Sequence, residues 1–264
     1  MKYREGCVGL SPEARLGVLC LLVCGFSSVA GCATEDVNSD AIRTQGIFVD
    51  AVAVAPGDAT TIVRVHLTVG GDDGTEVNLV PPDTLVALVD EMSSPFEANG
   101  DGRYEVTLNG DAATEIEVRL ERGADNDSAG VRGLMPEPFA MQLSTDASAG
   151  IGRGLPILVL WQPPGNARTT IQWSVEGDCI WSESGITPDD GTMTLNPDSL
   201  KVRGTQAGDE CEVMLTLDRI NVGSVDPVFV PGTTFQTIQR RAVRFISTPA
   251  PGEVPGESGY PDAG

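Results

Sequence analysis

The chain has 264 residues, with 17 Lys and Arg against 38 Asp and Glu, a formal net charge of −21, and 41% hydrophobic but only 5% aromatic residues. That apolar fraction is enough to build a packed core, and the length suits one or two domains. The acid excess excludes nucleic acid as a partner, because binding phosphates takes clustered Lys and Arg that displace counterions.

Leu16 to Ala30 is an apolar run of fifteen residues behind a segment that carries Lys2, Arg4 and Arg15. A helix across about 30 Å of bilayer hydrocarbon needs roughly 20 residues, so this run is too short to span. It fits the hydrophobic region of a secretory signal peptide, residues 1–31. The run closes on Val29-Ala30-Gly31-Cys32. This tetrapeptide resembles the lipobox of bacterial lipoproteins, although the preceding segment is long and carries two glutamates, Glu5 and Glu13. The resemblance implies cleavage before Cys32, acylation of that cysteine, and anchoring in a membrane by more than one acyl chain, since a single chain holds only marginally. Ala33 after the cysteine implies, by analogy with sorting in enteric bacteria, an outer-membrane location in the cell envelope. An ordinary secretory signal with an incidental Cys32 is the alternative.

Residues 32–45 are polar and are expected to form a lipidated tether. From there the chain alternates with period two, the signature of strands with one dry and one wet face. Val63, Val65, Leu67 and Val69 oppose Arg64, His66 and Thr68. Tyr104, Val106 and Leu108 alternate with Glu105, Thr107 and Asn109, and Ile116, Val118 and Leu120 with Glu117, Arg119 and Glu121. Turn signals separate these runs, among them Gly71-Asp72-Asp73-Gly74 and Asn99-Gly100-Asp101-Gly102. The pattern continues in Leu155–Trp161, Thr169–Val175, Thr192–Leu195, Cys211–Leu217 and Thr234–Ser247. No stretch holds a helical period. The expectation is an all-β protein of two tandem antiparallel β-sandwich domains, 46–136 and 137–247, with the boundary at Met135-Pro136-Glu137-Pro138. A weak echo between Glu115–Leu120 and Glu210–Leu215, each followed by an arginine (Arg122 and Arg219), points the same way. The Pro- and Gly-rich tail 248–264 has too little apolar surface to offset ordering and is expected to be disordered.

In the oxidising compartment that the lipobox implies, Cys7, Cys20 and Cys24 leave with the signal and Cys32 is acylated. Cys179 and Cys211 remain, and a disulfide between them is the expected state. Sharing parity with Ile171, Trp173 and Val175 on one side and with Val213, Leu215 and Leu217 on the other, the pair is expected to bridge the core near Trp173. A two-cysteine metal site is the alternative, but the sole histidine, His66, is remote in sequence. Here the chain resembles immunoglobulin-like and fibronectin-III-like domains, with Asp209-Glu210-Cys211-Glu212-Val213 similar to the immunoglobulin F strand. Trp173 precedes the first cysteine and no tyrosine stands two residues before Cys211, so the resemblance is to the architecture and implies no activity.

Catalytic motifs are missing. There is no Gly-x-Ser-x-Gly, no His-Glu-x-x-His, no phosphate loop and no Cys-x-x-Cys after the signal. His66 falls mid-strand on a polar face, where a solvated histidine is the simplest reading. Calcium is the one cofactor candidate. Asp125-Asn126-Asp127-Ser128-Ala129-Gly130 begins like a calcium loop but lacks oxygen donors at its fifth and twelfth positions, Ala129 and Pro136. Asp72, Asp73 and Asp101 lie in acid-rich turns that a fold could bring together. These features lead to a membrane-anchored envelope lipoprotein that acts as a non-enzymatic binding or structural module toward a protein or polysaccharide. An accessory lipoprotein of an outer-membrane assembly or secretion complex is one alternative, and an enzyme acting on polysaccharide or peptide is another.

Overall fold

The computed structural model describes residues 36–110, 114–123, 128–144, 150–166, 169–203 and 210–250. The expected signal peptide, Cys32, the loop acids Asp125 and Asp127, and residues 251–264 of the tail lie outside them.

Strands come in chain order as β1 (Val37–Asn38), β2 (Ile47–Ala55), β3 (Thr60–Val69), β4 (Thr75–Asn78), β5 (Thr84–Val89) and β6 (Met92–Pro95). Next are β7 (Glu97–Gly100), β8 (Arg103–Asn109), β9 (Glu115–Glu121), β10 (Ala129–Leu134), β11 (Ala140–Leu143), β12 (Ile151–Gly152) and β13 (Ile157–Gln162). The last are β14 (Thr170–Gly177), β15 (Glu183–Pro188), β16 (Thr192–Leu195), β17 (Cys211–Val222), β18 (Ser224–Val225) and β19 (Thr234–Thr248). Among the described residues the only helical elements are short 3₁₀ turns at Ser39–Ala41, Thr44–Gly46 and Pro197–Leu200.

The protein is all-β, with two sandwich cores. One large sheet runs through both, in the order β1-β4-β3-β2-β19-β17-β14-β15. A five-stranded sheet, β18-β10-β9-β5-β6, covers one end of it, and a three-stranded sheet, β11-β13-β16, covers the other. The alternation in sequence is what makes this possible. Val63, Val65 and Leu67 of β3 and Ile116, Val118 and Leu120 of β9 are buried in the first core. Ile157, Val159 and Trp161 of β13 and Val213, Leu215 and Leu217 of β17 fill the second. The buried tryptophan of that core is Trp161, while Trp173 packs only at its margin.

The chain is shared between the cores differently from two successive domains. It passes from the first to the second between Met135 and Phe139 but then returns, because Phe229 and Phe235 are buried in the first core. The reason is β19, which is fifteen residues long. Its first part, Thr234–Gln239, pairs in parallel with β2, while Phe245 near its far end is buried in the second core. A 136/137 boundary therefore cuts through packing, and the sheet crosses it without a break.

Of the segment 32–45 expected to be a tether, the described part from residue 36 on is packed onto the first core. Val37 and Asn38 pair with Val77 and Asn78, and Ser39 and Thr44 are buried. Arg122 holds this segment down, with Nη2 donating to the carbonyls of Ser39 (2.8 Å) and Ile42 (2.9 Å). Its Nε lies 2.9 Å from Asp83 Oδ2 in a buried ion pair.

The disulfide Cys179–Cys211 is formed, with a Cα–Cα distance of 5.8 Å. It does not cross between the two sheets of the sandwich. β14 and β17 are neighbours in the large sheet, their ladder ends at Gly177 opposite Val213, and the bridge closes that end just beyond. A turn after Gly177 carries Cys179 back toward β17, with the Ile180 amide directed at the Gly177 carbonyl.

Two outcomes follow from this arrangement. Phe235→Ala is expected to cost about 3–5 kcal/mol. Hydrogen exchange should then accelerate at Val118 and Val131 of the first core, and unchanged protection there would contradict the shared packing. Cys179→Ser opens a loop of about 33 residues, so it should lower stability by roughly 3–4 kcal/mol on the chain-entropy model. It should also leave Cys211 open to alkylation without reduction, whereas two free thiols in the untreated native protein would rule the bridge out.

Candidate functional site

Where the two cores meet, the inward register of β17 ends on a charge. Val213, Leu215 and Leu217 point into the second core, and two residues further on Arg219 does the same and is fully buried. A buried guanidinium needs a carboxylate and hydrogen-bond acceptors, or its desolvation is uncompensated. Asp189, in the turn between β15 and β16, supplies the carboxylate: Arg219 Nε lies 2.6 Å from Oδ2 and Nη2 lies 2.8 Å from Oδ1. The remaining donors reach backbone, Nη1 to the Glu137 carbonyl (2.8 Å) and Nη2 to the Pro163 carbonyl (2.6 Å). Asp189 accepts in turn from Trp161 Nε1 (2.8 Å) and Thr169 Oγ1 (2.7 Å). The guanidinium also stacks over the Phe139 ring, 4.6 Å from its centroid.

Burial pushes the Asp189 carboxyl up and is the largest single influence on it. The hydrogen bonds from Arg219, Thr169 and Trp161, with the Arg219 charge, together outweigh burial and hold the group below its ordinary value of 3.8.

From the other side Arg241 Nε donates to the Phe139 carbonyl (2.7 Å) and Nη1 reaches the Ala55 carbonyl at the end of β2 (3.4 Å). The connector 136–139 is thus fixed to β17, β19 and β2 at once. Beside it opens a groove of about 780 Å³, lined by residues of β10, the connector, the loop before β14 and the end of β17. Leu134 and Val222, 50% and 75% exposed, are the exposed apolar side chains among its described residues. Glu115 and Glu137 are acids of its lining, and Arg132, the one cation among its described lining residues, is paired with Glu117 at 2.9 Å. The walls approach closely: a Cβ at Gly223 would fall 2.4 Å from the Arg132 carbonyl oxygen. A second exposed feature is β15, which ends the large sheet and leaves Ile186 75% exposed.

The residues singled out in the sequence stand elsewhere. Asp72 and Asp73 are exposed in the β3–β4 turn and Asp101 in the β7–β8 turn. Among the described residues no three His, Cys, Asp or Glu side chains gather as a ligand set for a metal. His66 is half-buried on β3, with Asp50 and Arg103 opposite it on the flanking strands and Nε2 3.9 Å from Glu76 Oε1. The Arg219–Asp189 network was not anticipated. Its one signal in the sequence is an arginine in the inward register of an otherwise apolar strand.

These features define an all-β, two-core protein with a groove at the junction of its cores. No protein-family model matches the chain, and no curated protein does. Solved structures resemble it faintly. The trypsin-activated α2-macroglobulin of Escherichia coli matches 79% of this chain at 12% identity and a TM-score of 0.24, and the chain spans only 16% of that protein. A two-domain fibronectin type III segment of chicken tenascin matches 75% of this chain, with 97% of its own length covered, at 15% identity and a TM-score of 0.22. A titin I-band fragment matches 74%, with 64% of its own length covered, at 9% identity and a TM-score of 0.24. Likeness at this level carries nothing about function.

Removing the Asp189 charge leaves Arg219 buried without a counterion, so Asp189→Asn is expected to cost about 3–5 kcal/mol. Because the carboxyl is held below 3.8 in the folded chain, its contribution is present above that value and lost as the pH falls through the folded one. Urea unfolding over a pH series should therefore show an acid decline that is flatter in Asp189→Asn. An equally steep decline in the variant would overturn this.

Proposed function

We propose that the chain is a lipid-anchored protein of a bacterial cell envelope, acylated at Cys32 and located at the outer membrane, that works as a non-enzymatic binding module through its junction groove. The groove carries the reading. It is concave, it lies where two cores and three chain segments converge, and the Arg219 network holds its connector wall in one position. Ligand sites favour such junctions, and a site on a fixed scaffold binds without first having to order itself.

The anchor geometry supports the same reading. Val37, already part of the sheet, follows Cys32 by five residues. Five residues span at most about 17 Å, so an acylated Cys32 keeps the first core close to the membrane. β15 closes the opposite end of the large sheet, seven strand spacings from β1 and up to about 34 Å away along the sheet. A partner can then approach the groove and the far core from the aqueous side.

The test places a photoreactive phenylalanine analogue at Val222 of the full chain in its native cells. Illumination should give a discrete adduct. In a Cys32→Ala variant the protein should leave the membrane fraction and the adduct should be lost. An absent adduct, or membrane attachment that persists without Cys32, would overturn the corresponding half of the proposal.

A further inference from the structure

We infer that the junction groove takes an extended segment of a partner polypeptide that carries Lys or Arg on either side of an apolar residue. This rests on the reading of the groove as a binding surface and names the chemistry of what it binds. The groove presents two exposed apolar side chains, Leu134 and Val222, in one concavity with two carboxylates, Glu115 and Glu137. Neither carboxylate has a cationic side chain within 4 Å among the described residues. The neighbouring cation is no substitute, because Glu117 already binds both Arg132 (2.9 Å) and Arg119 (2.7 Å). The concavity therefore offers negative charge around an apolar patch, and its complement is a chain with cations around an apolar side chain.

Other occupants fit less well. No aromatic residue is among the described residues that line the groove, so they offer no platform for a sugar ring to stack on. Its acids oppose a phosphate or a carboxylate ligand. A second copy of this chain, at a net charge of −21, would meet repulsion before contact. An extended polypeptide also suits the shape, since about 780 Å³ holds a short segment and not a folded domain.

Two blocked pentapeptides test the inference against the full chain in detergent, Lys-Leu-Lys-Leu-Lys and Glu-Leu-Glu-Leu-Glu, each followed by fluorescence anisotropy in about 0.15 M salt. The lysine peptide should bind about tenfold or more tightly than the glutamate peptide. The double variant Glu115→Gln/Glu137→Gln should weaken it by about tenfold, and Val222→Ser by several-fold, with melting temperatures unchanged. Glu176→Gln/Glu183→Gln, which removes the same charge from β14 and β15, should have no effect. Equal loss in both double variants would show attraction to acidity in general and overturn the site. No binding of the lysine peptide at about 1 mM would do so too. A Val222 adduct in cells that survives Glu115→Gln/Glu137→Gln would leave the groove a binding surface but refute the basic-peptide chemistry. No adduct at all would remove the binding reading itself.

Discussion

An arginine taken out of water must find a full set of acceptors or give up the fold, and Arg219 finds them in a way that organises the whole junction. Its carboxylate comes from the β15–β16 turn, and its backbone acceptors come from the connector at Glu137 and the loop at Pro163. An apolar side chain in its place could fill the same volume, but it could not tie three separate segments to one another by direction and distance. Replacing a buried ion pair with hydrophobic residues is often neutral for stability. What this pair adds is one defined path for the chain where it leaves the first core, and with it the shape of the groove.

The first core uses the same device. Arg122 follows the inward run Ile116, Val118 and Leu120, lies buried against Asp83, and binds the carbonyls of Ser39 and Ile42. In both cores an arginine stands two residues beyond the last inward apolar residue of its strand, and in both the aspartate directly follows a proline, Pro82 or Pro188. Each pair also fixes a stretch of chain with little apolar surface of its own: the N-terminal segment in one case, the connector in the other. The acids of this chain are mostly solvated, so the few that are buried stand out by the work they do.

Much of this was legible in the residues. A strand with one wet face announces itself by period two, and β3, β8, β9, β14 and β17 do so. β2 does not, because it is central and covered: Ile47, Phe48 and Val49 are all buried, and its run is apolar throughout except for the exposed Asp50. The return of Phe229 and Phe235 to the first core could not be read, since alternation states which face is dry but not which sheet lies opposite. The disulfide partners followed from counting cysteines, while their place in one sheet depended on a turn after Gly177 that parity cannot foresee. The groove was hidden for a related reason. Leu134 and Val222 are single apolar residues in outward registers, and only the crossing of chain segments sets them side by side. Arg219 was the exception, an inward charge in plain view.

The fifteen-residue span of β19 bears on the order in which the protein can be made. A ribosome delivers the chain from its N-terminus, so β2 and β3 exist long before the strand that pairs with β2's other edge. Until residues 234–239 have been added, the first core lacks Phe235 and the edge of β2 is open. The second core waits on the same strand for Phe245. Neither half can finish before β19 is made, and that strand closes both. A nascent chain of this design has to be kept from pairing wrongly until β19 has emerged, which gives any chaperone that attends it one obvious edge to cover.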